Sequence, residues 1–347
     1  MTRRLFNSMA AAAAAPASAA STGRIRAAMI GTGHGHAASK VRALQSMPEY
    51  EFLGVCRPDQ DDPAVEEVFR GGVRWLELAD VLADPSIEFV AIEGADAARN
   101  LHFAQLAIDA GKFVHLDKPP GADFAGLRKL LDDAGRKKLV VQMGYQWRYH
   151  PAMQAAMEAA RQGWLGRVYR FRASIDKLIG AEERAHLARY RGGMMFSEGC
   201  HLIDRATALL GQPSKVSGYI KQNSQRGDSL ADNNLVVLEY RDAIAEISLA
   251  GFDAHGNQHR YVEVLGTNGS AKAQPFVPAR LVVDLDKAAG PYRAGEQTLA
   301  PPNPPGLAYT PDFAEMAAVM RNAAKPSYTA KHDLMTHETL LKACDML

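Results

Sequence analysis

A chain of 347 residues with 40 Lys and Arg against 39 Asp and Glu has a formal net charge of +1, too balanced to draw it to a nucleic acid or an anionic membrane surface. The length allows two domains, each with its own core, and 47% hydrophobic residues is ordinary for a globular chain. Three cysteines, Cys56, Cys200 and Cys344, form neither a disulfide framework nor a metal spacing, and read as small buried side chains.

Residues 1–20 stand outside the fold. Arg3-Arg4 followed by Leu5-Phe6 precedes an Ala-rich, weakly apolar run to Ala20, and Ala17-Ser18-Ala19 offers small residues for cleavage. This resembles a twin-arginine export signal, which carries folded proteins out of the cytoplasm. An alanine-rich low-complexity tail with chance arginines is the plainer alternative. The run is too short and too weakly apolar to span a membrane, and no later stretch qualifies.

Ile25 to Ile30 is a buried strand, and Gly31-Thr32-Gly33-His34-Gly35-His36 turns it into a helix that places Ala37, Ala38, Val41 and Leu44 on or near one face. Strand, glycine turn and helix form the first unit of a dinucleotide-binding fold. Gly31 permits the tight turn, Gly33 lets a pyrophosphate approach the backbone, and the helix N-terminus faces that phosphate. The third glycine of the pattern falls on His36, which asks for different packing there. Strands follow at Phe52–Cys56, Glu88–Ile92, Phe113–Leu116 and Leu139–Met143. Helices at Glu77–Leu82, Ala97–Ala110 and Asp123–Ala134 alternate with them, which implies a parallel sheet with right-handed crossovers. The second strand ends at Cys56-Arg57-Pro58-Asp59, where the adenosine ribose is expected. Arg57 suits a 2′-phosphate or stacks on adenine, and Asp59 can reach the ribose, so the reading leans slightly to NADP over NAD.

From Pro151 the pattern changes. A helix to Gln162 begins on proline, and strands then dominate at Val168–Ile175, Lys215–Lys221, Leu235–Tyr240, Ile244–Leu249, Tyr261–Leu265 and Leu281–Leu285, with tight turns such as Gly266–Gly269. A mostly antiparallel sheet is implied. Pro301–Pro305 is a loop, and helices at Pro311–Ala324 and His332–Met346 close the chain. The fold class is α/β. It combines a Rossmann NAD(P)-binding domain over 24–147 with an α+β substrate and oligomerisation domain over 148–347, whose sheet is open and mostly antiparallel.

Two further motifs lie downstream of the glycine turn. Asp117-Lys118-Pro119-Pro120 ends a strand. Gly192-Gly193-Met194-Met195-Phe196-Ser197-Glu198-Gly199-Cys200-His201-Leu202-Ile203-Asp204 runs from a glycine turn into a helix. In this order the three motifs, from about Arg24 to Leu347, resemble the Gfo/Idh/MocA oxidoreductases. The resemblance implies that Lys118 matches the lysine of an E-K-P triplet beside nicotinamide and substrate, with Asp117 where Glu is commoner. An ammonium there stabilises oxygen charge and relays a proton. In the pattern D-x-G-x-H-x-x-D, His201 matches the catalytic histidine, Gly199 the glycine and Asp204 the last aspartate. Ser197 stands where the first aspartate is expected, and Glu198 follows it. His201 and Asp204 share one face of a helical turn, so Asp204 can orient the imidazole. Trp147 and Arg148, in the segment joining the domains, can stack on and hydrogen-bond a sugar, or simply pack the domains together. His186, Tyr190 and Arg191 are weaker candidates to line the pocket.

The set expected to face the dinucleotide is Gly31, Thr32, Gly33, His34, Gly35, His36, Arg57, Glu93, His102, Lys118 and Arg148. The set expected to face substrate is Lys118, Trp147, Arg148, Ser197, His201 and Asp204, with Lys118 and His201 catalytic and no metal. The reading is an exported NAD(P)-dependent oxidoreductase acting on a sugar or polyol hydroxyl, its cofactor retained, and a homodimer or homotetramer by analogy. Redox-neutral glycoside cleavage with a bound nicotinamide, or nucleotide binding without catalysis, are the alternatives.

Overall fold

The computed structural model describes residues 23–59, 67–302 and 308–347. The expected export signal and part of the proline-rich loop therefore lie outside the described residues. Strands β1 (Ile25–Ile30), β2 (Tyr50–Cys56), β3 (Phe89–Ile92), β4 (Phe113–Leu116) and β5 (Val141–Met143) form one parallel sheet in the order β2-β1-β3-β4-β5. Burial on both faces explains why β1 and β3 read as apolar runs. The chain runs outward from β1 to β2, then crosses back to β3. The order therefore reverses between β1 and β3, and ligands of such sheets bind at the strand ends beside that reversal. Gly31 follows β1, Glu93 follows β3 and Asp117 follows β4, so the crevice is lined by the residues the sequence singled out.

Helices α1 (Ala37–Ser46), α2 (Glu67–Gly71), α3 (Leu78–Ala83), α4 (Ala97–Asp109) and α5 (Phe124–Arg136) fill the crossovers. Asp96 caps α4 by accepting from the N–H groups of Ala98 and Arg99, and Asp123 caps α5 through Gly126. α6 (Pro151–Arg161) then leads through β6 (Val168–Asp176), α7 (Ala181–Leu187) and α8 (Cys200–Leu210) to strands β7 (Lys215–Lys221), β8 (Asn233–Glu239), β9 (Ile244–Ala250), β10 (Tyr261–Gly266), β11 (Gly269–Ala273), β12 (Leu281–Leu285) and β13 (Gly295–Leu299). These eight strands form a second sheet, ordered β13-β12-β11-β10-β6-β9-β8-β7. Its pairs are antiparallel except β6 with β9. Alternating burial along β8, β9 and β10 turns one face to the core. Tyr169, Tyr219, Leu235 and Ile244 are exposed.

α9 (Thr310–Met320) and α10 (Ala330–Ala343) close the chain. The expected division at 147/148 follows chain order but not packing, and α9 is the exception. Phe313 is buried in the core of the first sheet, its ring 6.1 Å from Tyr50, 6.0 Å from Phe89 and 5.2 Å from His115. The Tyr50 hydroxyl donates to the Phe313 carbonyl at 2.7 Å. An amphipathic helix goes where its apolar face is covered, and here that is the parallel sheet. β11 escaped the sequence because Ser270-Ala271-Lys272-Ala273 has little strand preference; pairing with β10 and β12 makes it one.

Candidate active site

Gly31 has φ of +88°, and a Cβ there would lie 2.4 Å from the amide nitrogen of Gly94. Only glycine fits this approach of β1 to the end of β3. Gly33 is partly buried and Thr32 buried, whereas a Cβ on exposed Gly35 would meet nothing within 4 Å. The turn is thus closed on its sheet side and open outward, the shape a dinucleotide pyrophosphate needs at the start of α1.

His36 does not leave a gap where the third glycine is missing. Its Nδ1 lies 2.9 Å from Asp117 Oδ2, and its ring 5.2 Å from that of Tyr309. The same Asp117 oxygen is 2.7 Å from His34 Nδ1 and 3.0 Å from Lys40 Nζ. Lys40 is fully buried on α1 and also donates to Glu93 Oε1 at 2.6 Å. Asp117 Oδ1 accepts the backbone N–H of Lys118 at 2.7 Å. Burial by itself would raise the Asp117 pKa, but His34, Lys40 and His36 hold it well below the carboxylate range. Burial raises Glu93 well above its ordinary value, Asp117 adds to this, and Lys40 opposes it. Burial also lowers His36 to about 4, against the pull of Asp117. His34, His36 and Asp117 have donor atoms within 4.8 Å of one another, but Lys40 already provides the cation at that carboxylate.

Across the crevice, the Lys118 ammonium donates to the Ser197 carbonyl at 2.9 Å. Ser197 belongs to a π-helical turn, Met195–Gly199, that runs directly into α8. Gly192 and Gly193 precede it with φ of +86° and +47°, and a Cβ on them would strike Cys344 Sγ and the Ala231 carbonyl. His201 sits in the first turn of α8, 2% exposed. Trp147 stacks on it at 5.2 Å and 18°, and Tyr145 meets it edge-on at 6.0 Å. Burial pushes the His201 pKa well below 6.5 and the Lys118 charge pushes it the same way. The imidazole is therefore kept neutral by its site. Lys118 goes the other way: burial would lower it, but Glu198 and other acidic groups raise it.

The expectations for Asp204 and Arg148 are corrected. Asp204 does not orient His201, whose Nδ1 is buried with no hydrogen-bond partner among the described residues. Asp204 faces the opposite way, accepting from Arg148 at 2.7 Å, from Arg205 and from His332. Arg148 is 3% exposed, held by Asp204 and Asp333, with Tyr328 4.0 Å from its guanidinium. Its donors serve buried carboxylates, which need them more than a sugar would. Both residues are engaged with each other and with buried charged partners. Trp147 has one ring face on His201 and its flank on Phe276 at 4.7 Å, so it shapes the histidine pocket.

Arg57 is exposed at the end of β2, 5.6 Å from Trp75, beside a cavity of about 280 Å³ that both residues line. Asp59 is taken by Arg99, at 3.1 Å from its Nε. His102 is exposed on α4 against Phe103, and no hydrogen bond or ion pair among the described residues joins it to Asp117 or Lys118. Tyr190 donates to the Ala95 carbonyl at 3.2 Å, tying the segment after α7 to the loop after β3. Arg191 pairs instead with exposed Asp345. Sequence reasoning missed Lys40 and Lys177. The signal for Lys40 was a charged residue on the apolar side of α1, four residues after His36.

A family described as an oxidoreductase family with an NAD-binding Rossmann fold matches residues 25–145, and the GFO/IDH/MocA C-terminal domain matches 153–272. An uncharacterised oxidoreductase of Schizosaccharomyces pombe is 26% identical over 259 residues, 71% of this chain and 69% of its own. Trans-1,2-dihydrobenzene-1,2-diol dehydrogenase of Macaca fascicularis is 26% identical over 299 residues, 83% and 81%. A solved oxidoreductase from Agrobacterium radiobacter, in complex with NAD+, L-tartaric acid and magnesium, superposes with a TM-score of 0.79 over 93% of this chain and 96% of that one. At 14% identity this is a likeness of fold.

Replacing Lys40 by Met should strand the buried Glu93 carboxylate and take the ammonium from Asp117, which keeps its imidazole neighbours, at a cost of about 3–5 kcal/mol. Glu93, with its raised pKa, can take a proton as pH falls, so the deficit should be smaller at pH 5 than at pH 8. Urea unfolding of both proteins at the two pH values measures this; an equal deficit would mean that Glu93 is not a stranded charge.

Proposed function

We propose that this chain, which belongs to the Gfo/Idh/MocA oxidoreductases, oxidises one hydroxyl of a sugar, a polyol or another compound with hydroxyls on adjacent carbons. The last group is included because a relative is named for a trans-1,2-diol. The observation that carries the reading is the meeting of Lys118 and the His201 helix. These residues lie 83 positions apart (201 minus 118), yet the Lys118 ammonium bonds the carbonyl of Ser197, one turn before His201. Bound NAD(P) supplies the hydride acceptor. Gly31, Thr32, Gly33, His34, Gly35 and His36 would hold its phosphates, and Arg57 would meet its adenosine end.

A hydride leaves an alcohol carbon readily only if the hydroxyl proton is taken as well. His201, kept neutral by burial and by Lys118, is fit to take that proton. Lys118, kept charged by Glu198 and its other acidic neighbours, is fit to hold the oxygen as its charge grows. Asp117 fixes the Lys118 backbone, and Trp147 fixes the imidazole plane. The balance is alcohol plus NAD(P)+ giving carbonyl, NAD(P)H and one proton. Absorbance of reduced nicotinamide, followed with a panel of sugars, polyols and trans-1,2-dihydrobenzene-1,2-diol, tests the reading. Glycoside cleavage with no net reduction would replace it by the redox-neutral alternative.

His201→Ala should lower turnover by roughly two to four orders of magnitude with cofactor binding near normal. Lys118→Ala should reduce turnover and also raise KM. Unchanged kcat in either variant would remove that residue from the mechanism.

For the cofactor, the lean toward NADP rests on Arg57 at the β2 end, with Asp59 already engaged by Arg99. Arg57→Asp should weaken NADP binding roughly tenfold to a hundredfold and NAD binding much less. Titration by protein fluorescence would expose equal losses, which count against the assignment.

Export of the folded, cofactor-loaded protein is proposed from Arg3-Arg4 before the alanine run. Changing both to lysine should retain the protein in the cytoplasm; undiminished recovery outside it would dismiss the signal.

A further inference from the structure

Lys177 has no part in the mechanism above, and Glu198 enters it only as one of the acidic groups that keep Lys118 charged. Glu198 lies inside the π-helical turn, its side chain 19% exposed, and Lys177, 18% exposed, follows β6. The Lys177 ammonium is 3.0 Å from Glu198 Oε1 and also reaches Glu183 on α7. Partly buried ion pairs of this kind are costly to desolvate and weak evidence for stability alone. Their surroundings are more telling. Lys118 donates to the carbonyl of residue 197, and His201 follows Glu198 by three residues. A π turn widens the helix by one residue and re-aims the side chains within it. Here it brings the Ser197 carbonyl, rather than the Ser197 hydroxyl, to the Lys118 ammonium.

We infer that Glu198, clamped by Lys177, is the positioning carboxylate of the Lys118–His201 pair. This rests on the oxidoreductase reading of that pair. The charged and titratable groups facing Glu198 come from each element around it. Lys118 follows β4, Lys177 follows β6 and His201 belongs to α8. Cys200, whose Sγ donates to the Ser197 carbonyl at 3.1 Å, is kept a neutral thiol by burial. Beyond them stand Glu183 on α7, and Asp117 with His36 at the glycine turn. Burial would raise the Glu198 pKa, but Lys118 and Lys177 hold it far below the usual range, so it remains an anion. That anion raises the pKa of both Lys118 and His201. Lys177 limits the effect: it neutralises enough of Glu198 for His201 to stay neutral, while the remaining negative charge still favours the Lys118 ammonium. Ser197 offers no charge for this purpose.

The sign of each variant follows. Lys177→Met leaves Glu198 uncompensated, so His201 should be easier to protonate. Adding Glu198→Gln should reverse this. With 13C-labelled histidine, the His201 resonance, assigned by its loss in His201→Gln, reads protonation directly. In the wild-type protein it should remain neutral through the range in which the fold survives. In Lys177→Met its midpoint should rise by about one pH unit or more, and in Lys177→Met/Glu198→Gln it should fall back. Lys177→Gln is the second variant if the methionine protein folds poorly. Identical titrations in the single and double variants would overturn the inference. With trans-1,2-dihydrobenzene-1,2-diol and NADP as the kinetic probe, the acid limb of kcat/KM should move in the same two directions. If no compound on the panel is oxidised, the oxidoreductase reading fails while the resonance still decides whether Glu198 governs His201.

Discussion

One oxygen atom, Oδ2 of Asp117, joins the parts of this molecule that must agree. It is met by two imidazoles from the glycine turn and an ammonium from α1. The other oxygen of the same carboxylate receives the Lys118 amide. A shift in the cofactor turn therefore moves the strand end that carries Lys118, because a buried carboxylate cannot drop its donors without a large desolvation penalty. Glu93 completes the cluster by sharing Lys40. Two acids around one lysine leave an excess of negative charge, which Glu93 relieves by holding a proton more tightly than an ordinary carboxyl.

A second buried ionic cluster stands behind α8. Arg148, Arg205 and His332 converge on Asp204, and Asp333 takes Arg148 from the other side. These contacts link the joining segment, α8 and α10. The two clusters have different tasks. The one at Asp117 fixes Lys118 from below, and the one at Asp204 fixes the helix on which His201 rides. Between them, Trp147 and Tyr145 set the imidazole plane by ring contacts alone. His201 is thus placed without a hydrogen bond from a carboxylate, and its basicity is set by burial and Lys118, with Glu198 opposing them.

The parallel sheet, the glycine turn and most strands of the second sheet were legible because burial on one or both faces writes itself into apolar spacing. The meeting of the Lys118 strand end with the His201 helix was legible through motif order. What stayed hidden has a common cause. Asp204 and Arg148 share a helical face or a motif with the residues proposed as catalytic, and spacing cannot say which way a helix is rolled. The π turn at 195–199 changes that roll by one residue, so Ser197 and Glu198 exchange the importance that the linear pattern gave them. α9 was placed in the wrong body because its sequence reports that it has an apolar face, not which sheet will cover it. Lys40 was hidden because a lysine on a helix normally faces water.

His36 gives a physical reason for the path of the last third of the chain. Where the dinucleotide fold has a glycine, close helix-on-strand packing follows; an imidazole there needs room and a partner. Asp117 is the polar partner. The room is bounded by Tyr309, whose ring lies 5.2 Å from His36 and 5.1 Å from the Lys40 ammonium. Tyr309 adopts a left-handed backbone conformation, φ 69°, directly before α9. Such a conformation is unfavourable for a bulky side chain and persists only where its surroundings fix it. Those surroundings are Phe313, Met316 and Ala317, packed with Tyr309 in the first sheet's apolar cluster. The same segment that carries α9 back to the nucleotide-binding sheet thus closes the wall of the Asp117 cluster. The cofactor turn of this protein is completed by residues more than 270 positions downstream (309 minus 36 is 273).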